Sequence, residues 1–247
     1  MIEGHQDIRE AYRDDTVARE YVERRFREPL GAFLHARQVA SVRRHVVAAK
    51  PARVLEIAPG PARVTVDVAD ALAAPPVLMD ASAQMLAQAR SRMRSHGRAE
   101  PRLVQGDAFN LPFADGFDLV YTFRLIRHFG NEDRRRIYAQ IARLLRPGGL
   151  LVFDAVNEVV SRPVRERNGD GHQHYDALLT PAQIRDEVEA SGFRLVSLEG
   201  VQHRFPWMYK MQVLVAPRSR QLASAAMEVI DRLGGEPLEW IVTCQRR

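Results

Sequence analysis

The sequence predicts an α/β fold: a seven-stranded, mostly parallel sheet with helices on both faces and a helical N-terminal extension. Short apolar runs rich in Val, Leu and Ile alternate with longer amphipathic stretches between residues 53 and 155. Alternating strands and helices favour parallel strands that are covered on both faces. Ahead of the first run, residues 6–28 and 32–49 have apolar residues at helical spacing, which predicts the extension.

The apolar runs and the turns that close them place the strands. We predict strands at residues 53–57, 76–79, 103–104, 117–121, 150–153, 194–196 and 240–243. The last of these is expected at an edge of the sheet. Asp118, near the start of the fourth strand, is interpreted as a structural residue.

Capping residues and helix breakers set the helix boundaries. Helices are predicted over residues 62–72, after Ser82, after Asn131, over 180–191 and over 216–233. Ser82 and Asn131 are each expected to cap the helix that follows. The run Arg134–Arg136 is interpreted as a solvated helix face.

The composition is that of a soluble globular protein. The 247 residues are 46% hydrophobic and 27% charged, and no run approaches the roughly 20 apolar residues of a membrane span. The N-terminus lacks the basic and then apolar pattern of a secretory signal. Cys244, the single cysteine, rules out an internal disulfide and a cysteine-built zinc site. We expect a cytoplasmic protein without a metal site, since His172 and His174 lack a firm third ligand.

The net charge of +5 raises the question of nucleic-acid binding. The 36 Lys and Arg residues are spread along the chain and interleaved with 31 Asp and Glu residues. Dispersed charges do not form the basic patch that marks a nucleic-acid surface. We therefore do not expect a nucleic-acid partner.

The residues that follow the predicted strands indicate one ligand site. In an open α/β sheet, ligands bind beyond the carboxyl ends of the strands. The turn at residues 58–62 has small side chains, so a ligand can approach its backbone. Asp80 follows the second strand, where an acid accepts hydrogen bonds from a ribose diol. The next strand ends are followed by Asp107, Phe123, Arg124 and, one helical turn later, His128.

A dinucleotide site would share this turn and this acid. It would also need a third glycine, and Arg63 stands at that position. Pro59 and Pro61 remove two backbone N–H groups that a diphosphate would use. A ligand without phosphates fits the turn better.

Four segments, in order and at matching spacing, resemble the class I S-adenosylmethionine-dependent methyltransferases. They are VLEIAPGPA from Val54, LMDASAQML from Leu78, GDAFNLPFADGFDLV from Gly106 and LLRPGGLLVF from Leu144. The resemblance is closest to the small-molecule branch, which includes ubiquinone/menaquinone-type and natural-product methyltransferases. It implies a Rossmann-like sheet and a capping helix around Tyr21.

The resemblance implies a role for each matched residue. The family's first motif is acid-x-Gly-x-Gly-x-Gly; Glu56 and Gly60 match it, while Ala58 and Ala62 replace two glycines. A positive φ is costly for alanine, so these two sites depart from the pattern. The implied cofactor-binding residues are Tyr21, Glu56, Ala58, Gly60, Asp80, Ala81, Met85, Asp107, Ala108, Phe109 and Phe123.

Arg124 and His128 are the candidate catalytic residues. Methyl transfer from a sulfonium is an in-line displacement, which the protein promotes mainly by alignment. An oxygen or carbon acceptor also needs a base, and imidazole titrates near neutrality. His128 is thus a candidate base or a pocket-wall residue, and Arg124 a candidate partner for an anionic or carbonyl group.

Together these features predict methyl transfer from S-adenosylmethionine to an O, N or C atom of a small molecule, releasing S-adenosylhomocysteine. A specialised metabolite or a quinone-like compound is the expected acceptor. An RNA or protein methyltransferase, or an inactive cofactor-binding scaffold, are the alternatives. We expect a single domain over 1–247, with a helical cap (1–50), a cofactor-binding core (51–155) and a C-terminal half with substrate-side insertions (156–247).

Overall fold

The computed structural model of the chain describes residues 26–168 and 176–247. Most of the first predicted helix, including Tyr21, lies outside the described residues, and so do His172 and His174. None of the described helices is long and apolar enough to cross a membrane.

The described ranges contain eight strands and eight α-helices. The strands are β1 (Val54–Ile57), β2 (Val77–Asp80), β3 (Arg102–Gln105), β4 (Phe117–Thr122), β5 (Leu145–Asn157), β6 (Leu178–Leu179), β7 (Phe193–His203) and β8 (Pro237–Arg246). The helices are α1 (Pro29–Ala49), α2 (Arg63–Val68), α3 (Ala83–Ser95), α4 (Asn131–Leu144), α5 (Glu158–Asn168), α6 (Pro181–Ala190), α7 (Phe205–Lys210) and α8 (Arg220–Arg232). Short 3-10 turns follow α2 (Ala69–Ala71) and β4 (Ile126–His128), and a π-helical turn (Met211–Val215) follows α7.

The strands form one sheet in the order β3-β2-β1-β4-β5-β8-β7, and β6 pairs with the end of β5. All pairs are parallel except those that β8 makes with β5 and β7. The predicted mostly parallel α/β sheet is confirmed, and each predicted strand is present. The two-residue strand β6 is an addition to the seven.

The expected position of the last strand is wrong. Strand β8 lies inside the sheet, and β7 is the edge strand. Ile241 packs in the apolar layer on one face of the sheet, whereas Val242 and Cys244 pack in the layer on the other. A strand that is buried on both faces is most stable when it has a neighbour on each side, because its buried backbone N–H and C=O groups are then all hydrogen-bonded.

Helices cover both faces of the sheet, as predicted. Val42 and Val46 of α1 pack over one face, together with Val64 and Val68 of α2. The opposite layer is formed by residues of α4 and α6, namely Ile137, Ile141, Ile184 and Val188. The central strands are therefore continuous apolar runs, and polar side chains are expected mainly at the strand ends.

The helix caps follow the prediction in part. The Ser82 hydroxyl accepts a hydrogen bond from Met85 N (3.2 Å), as expected of the cap of α3. Asn131 does not cap α4, because the cap position is Gly130 and Asn131 is the first helical residue. Its amide donates instead to Glu187 (2.8 Å).

The arginine run on α4 is solvated only in part. Arg135 and Arg136 are exposed, but Arg134 is buried and donates to both carboxylate oxygens of Glu187 on α6. Its third donor meets Phe129 O at 2.7 Å. Arg134 thus joins α4 to α6, because a buried charge needs a partner of opposite sign.

Asp118 has the structural role that was expected. Its carboxylate accepts from Ala52 N (2.7 Å) and Arg53 N (2.8 Å) and forms an ion pair with Arg146. These contacts hold the chain entering β1 against the start of β4.

Candidate functional site

A cavity of about 440 Å³ opens at the carboxyl ends of β1, β2, β3 and β4. Its volume lies in the range of small-molecule sites, roughly 300–1,000 Å³. The lining contains every candidate residue that falls in the described ranges: Glu56, Ala58, Gly60, Asp80, Ala81, Met85, Asp107, Ala108, Phe109, Phe123, Arg124 and His128. Tyr21 lies outside those ranges. The structure therefore brings the predicted residues together at one site.

The turn between β1 and α2 forms the floor of this cavity. Ala58, Gly60 and Ala62 all have left-handed backbone, with φ of 53°, 54° and 55°. The two alanines thus keep the conformation of the glycines that they replace, at about 1–2 kcal/mol each. The conformation leaves a turn of small side chains against which a ligand can lie.

Asp80, at the end of β2, ties this turn to α3. One of its carboxylate oxygens accepts from Gly60 N (3.1 Å) and the other from Ser82 N (2.9 Å). Burial raises the pKa of Asp80 above its ordinary value. A carboxylate has about four acceptor positions, so capacity remains for hydroxyl groups of a ligand.

Glu56 lies inside β1 with its side chain buried against Thr65 and Tyr121. The Thr65 hydroxyl donates to the Glu56 carboxylate and lies 2.7 Å from the Tyr121 hydroxyl. Burial raises the pKa of Glu56 to about 7, although the Thr65 hydrogen bond and the charge of Arg63 favour its ionised form. An ionised carboxylate is unfavourable when it is buried without a partner of opposite charge, so a cationic group entering this end of the cavity would stabilise ionised Glu56.

Aromatic side chains form the opposite wall. Phe109 contacts Phe129 edge to face, with ring centroids 5.2 Å apart, and the Arg136 guanidinium lies 4.9 Å from the Phe109 centroid. Asp107 accepts from Phe109 N at 3.0 Å, which fixes the loop after β3. A Cβ at Gly106 would lie 3.0 Å from Met79 Sδ, so a larger residue at this position would displace the Met79 side chain.

Arg124 and His128 lie at the end of β4. Arg124 has left-handed backbone (φ 66°), and its N–H donates to Asp154 at 2.6 Å. His128 is 5% exposed, and its Nδ1 lies 3.2 Å from an Asp176 carboxylate oxygen. The carboxylate can only accept, so it fixes the tautomer in which Nδ1 bears the proton and Nε2 is the basic nitrogen.

A buried charge cluster supports His128 from behind. Arg127 donates to Asp176 (2.8 Å), Glu239 (2.8 Å) and Asp154 (3.2 Å), and Arg165 also donates to Asp176. Burial disfavours the ionised form of Asp176, yet the Arg127 guanidinium holds its pKa well below the ordinary value. Asp176 is thus an anion that can orient the imidazole.

Sequence reasoning missed two residues of this site. No motif in the sequence links Asp176 to His128, so this pair was not predicted. Arg63 was noted only as a departure from a glycine pattern, yet it lines the cavity and is 9% exposed. Arg63 could have been predicted, because it is a long, charged side chain that directly follows the turn of small residues.

Comparison with known proteins finds a family match for part of the chain. Residues 54–149 match the family described as a methyltransferase domain. The matched range contains the four segments on which the predicted family resemblance rests, apart from the last residues of the fourth.

Two curated relatives match part of the chain. Malonyl-[acyl-carrier protein] O-methyltransferase of Methylococcus capsulatus is 34% identical over 112 residues, which are 43% of this chain and 40% of that protein. Sarcosine/dimethylglycine N-methyltransferase of Halorhodospira halochloris is 30% identical over 107 residues, 40% of this chain and 36% of that protein. The chain thus spans about two fifths of the length of these relatives.

Solved structures share the fold over nearly the whole chain. Magnesium protoporphyrin IX methyltransferase from Synechocystis, crystallised with bound S-adenosylhomocysteine, has a TM-score of 0.71 at 15% identity, covering 98% of this chain and 100% of that one. A possible histamine N-methyltransferase from Thermotoga maritima has a TM-score of 0.67 at 17% identity, covering 96% and 99%. At these identities the likeness concerns the fold alone.

The left-handed turn gives a first prediction. Ala58→Gly should raise the free energy of unfolding by roughly 0.5 kcal/mol. The variant relieves about 1–2 kcal/mol of strain in the folded state, which exceeds the free-energy cost of the greater conformational entropy of glycine in the unfolded chain. Urea denaturation measures the change. Ala225→Gly, at an exposed helical position in α8, is the control and should lose about 1 kcal/mol. Equal losses in both variants would contradict the left-handed backbone at residue 58.

Glu56 gives a second prediction, on pH. Its pKa in the folded state is about 7, above the ordinary value of 4.5, so the folded protein binds this proton more tightly than the unfolded chain. The stabilisation is complete below pH 4.5 and is lost as pH rises to about 7. Relative to Glu56→Gln, the wild type should lose about 3 kcal/mol of unfolding free energy across this window. Parallel stability curves for the two proteins would show that Glu56 ionises normally.

Proposed function

We propose that this protein transfers the methyl group of S-adenosylmethionine to a small-molecule acceptor and releases S-adenosylhomocysteine. The main support is that one cavity is lined by the strand-end residues that the family motifs assign to the cofactor. The acceptors in the relatives' names are a malonyl group on a carrier protein and the small amines sarcosine and dimethylglycine. A small or terminal acceptor group is consistent with the volume of the cavity.

The described residues fit each part of such a cofactor. Asp80 has acceptor capacity for ribose hydroxyls, and Asp107 faces the cavity where an adenine amino group needs an acceptor. Ala81, Met85, Ala108 and Phe109 supply the apolar walls of an adenine slot. Glu56 and the turn at Ala58 and Gly60 would hold the methionine part. Phe123 would border the sulfonium.

His128 and Arg124 would serve the acceptor. When bound, the cofactor supplies an activated methyl group, so the protein mainly has to align the acceptor with it. His128 Nε2 would take the proton of an oxygen or carbon acceptor, with the imidazolium stabilised by Asp176 at Nδ1. Arg124 would bind a carbonyl or anionic group of the acceptor, which holds the nucleophile in place.

The assignment extends to the whole chain. We propose one cytoplasmic domain over residues 1–247, in which the N-terminal cap and the C-terminal half bind the acceptor. Several described arginines are ion-paired with acids, namely Arg37, Arg43, Arg44, Arg127, Arg134 and Arg165. Arginines that are paired with acids do not form the basic patch that marks a nucleic-acid surface, which favours a small molecule as acceptor.

The proposal is tested by ligand binding, because binding does not require knowledge of the acceptor. Isothermal titration should show micromolar or tighter binding of S-adenosylhomocysteine and no binding of NADH. Binding of NADH alone would contradict the proposal, since it would assign the cavity to a dinucleotide.

Asp80 gives the third prediction. Asp80→Ala should weaken S-adenosylhomocysteine binding by roughly 1–3 kcal/mol, the effect of losing a buried hydrogen-bond partner. Asp115→Ala removes an exposed acid outside the cavity and should leave the affinity unchanged. Asp80 also holds the turn, so Asp80→Asn and a thermal melt separate lost ligand contact from lost fold. Wild-type affinity in both Asp80 variants would refute the assigned role.

A further inference from the structure

The helical segment after β7, residues 205–215, is apolar on the face that it turns to solvent. It consists of α7 and the π-helical turn that follows. The exposed side chains of its outer face are Trp207, Tyr209, Lys210, Val213 and Leu214. Trp207 is 57% exposed and Leu214 is 59% exposed. A surface helix normally has charged or polar residues on this face, so an apolar face here indicates a partner that takes up apolar side chains.

The inner face of the segment is packed, which fixes the direction of the outer face. Met208 is fully buried beside Phe33 of α1 and Met227 of α8. The Gln212 side-chain oxygen accepts a hydrogen bond from Leu30 N at 3.1 Å. The segment is therefore anchored to two helices, and its apolar outer side chains project from a supported backbone.

The charge of this part of the chain is entirely positive. Residues 200–227 contain no Asp or Glu, and their basic residues are Arg204, Lys210, Arg218 and Arg220. Arg220 is paired with Glu28 at 2.9 Å. Among the residues that the structure describes, no carboxylate oxygen lies within 4.0 Å of the other three basic side chains. Basic residues elsewhere in the chain are interleaved with acids, so this stretch is a local excess of positive charge.

The segment begins at the edge of the sheet where the cavity opens. Strands β5 and β7 are both antiparallel to β8, and Val156 and Val201 both pair with Glu239. They therefore run in the same direction as β4, which is parallel to β5. The end of β7 lies at the carboxyl-end edge of the parallel strands, although the segment itself does not contribute to the cavity lining described above.

Projecting aromatic and aliphatic side chains among cations are complementary to an anionic lipid surface. Trp and Tyr rings lie at the level of the headgroups, aliphatic side chains enter the acyl boundary, and Lys and Arg bind anionic headgroups. The Lys210 ammonium lies 4.7 Å from the centroid of the Trp207 ring, so a cation and an apolar ring are presented together. A second copy of the chain fits less well, because this face would meet itself in a symmetric dimer and its cations would repel one another.

We infer that residues 205–215 form a docking surface for an anionic lipid membrane. The aromatic and aliphatic side chains of the outer face enter the headgroup boundary, and Lys210 and the neighbouring arginines bind lipid phosphates. Such contact is made by side chains of a surface segment and needs no helix that spans the bilayer. The surface lies outside the cavity, so the inference stands or fails independently of the proposed function.

Vesicle binding tests the inference without any cofactor or acceptor. Cosedimentation is measured with vesicles of phosphatidylcholine alone and with vesicles of equal parts phosphatidylcholine and phosphatidylglycerol. The wild type should bind the anionic vesicles roughly tenfold or more tightly than the neutral ones. Added salt should weaken this binding, because it screens the exposed charges.

A change on the outer face tests the apolar contribution. Leu214→Ser should weaken binding to the anionic vesicles roughly tenfold, because a large aliphatic side chain no longer enters the lipid. Val47→Ser makes a similar change at an exposed position near the end of α1, at the opposite edge of the sheet, and should bind as the wild type does. Both positions are exposed, and thermal melts check that both variants are folded.

Tryptophan fluorescence reports insertion directly. The chain has two tryptophans, the exposed Trp207 and the half-buried Trp240 on β8. Emission should shift to shorter wavelength when anionic vesicles are added, because Trp207 moves from water to lipid. Trp207→Phe should abolish the shift and keep most of the binding, since the ring that replaces it is also apolar.

A charge reversal tests the electrostatic contribution. Lys210→Glu should weaken binding to the anionic vesicles roughly 5- to 50-fold, because an attractive charge becomes a repulsive one. Arg94→Glu makes the same change of charge at an exposed position on α3 and should alter binding by less than about twofold.

Four results would overturn the inference. Absence of binding to anionic vesicles would exclude a lipid surface and favour an acidic protein as the occupant. Equal losses for Lys210→Glu and Arg94→Glu would mean that the whole basic protein is attracted, with no defined docking surface. Binding without a fluorescence shift and without an effect of Leu214→Ser would exclude insertion. A dimer in the absence of lipid that Leu214→Ser converts to a monomer in sedimentation velocity would assign the face to a second copy.

Discussion

The backbone of the turn between β1 and α2 is the constraint on which the site depends. Three of its residues, Ala58, Gly60 and Ala62, have left-handed conformations, and the hydrogen bond from Gly60 N to Asp80 ties the turn to the next strand. Because two of the three are alanines, the turn is formed against their own preference. Packing must impose it: Ala62 is fully buried, and Ala58 N donates to Met79 O. A relaxed turn would move Glu56 and Arg63 relative to Asp80.

Charge is distributed differently at the two ends of the cavity. At the His128 end, Arg127 is ion-paired with three carboxylates, from β5, β8 and the segment before β6, so opposite charges there are in direct contact inside the protein. At the other end, Glu56 and Arg63 are both buried and remain apart. Paired charges fix the geometry of Asp176 and thereby of His128. The two ends of the cavity thus differ in whether their buried opposite charges are in direct contact.

The fold and most of the site were accessible from the sequence for a simple physical reason. Parallel strands that are buried on both faces appear as apolar runs, and their carboxyl ends must meet along one edge. The residues after each run, such as Asp80, Asp107 and Arg124, therefore converge without any knowledge of side-chain positions.

The errors and omissions came from contacts between segments far apart in the chain. Arg134 pairs with Glu187, which lies far away in the sequence, so Arg134 was predicted to be solvated. Asp176 is likewise distant in sequence from His128, so its contact with the imidazole was not predicted. The position of β8 inside the sheet depends on burial of Ile241 and Val242 on opposite faces, which a run of apolar residues does not distinguish from burial at an edge.

A crystal structure of the protein with S-adenosylhomocysteine would show directly where the cofactor lies. We predict the adenine beside Asp107 and Phe109, the ribose hydroxyls at Asp80, and the homocysteine part at Glu56 and the turn at Ala58 and Gly60. A ligand bound in the reverse direction, or bound away from the turn at Ala58 and Gly60, would contradict the assignment of both ends of the cavity.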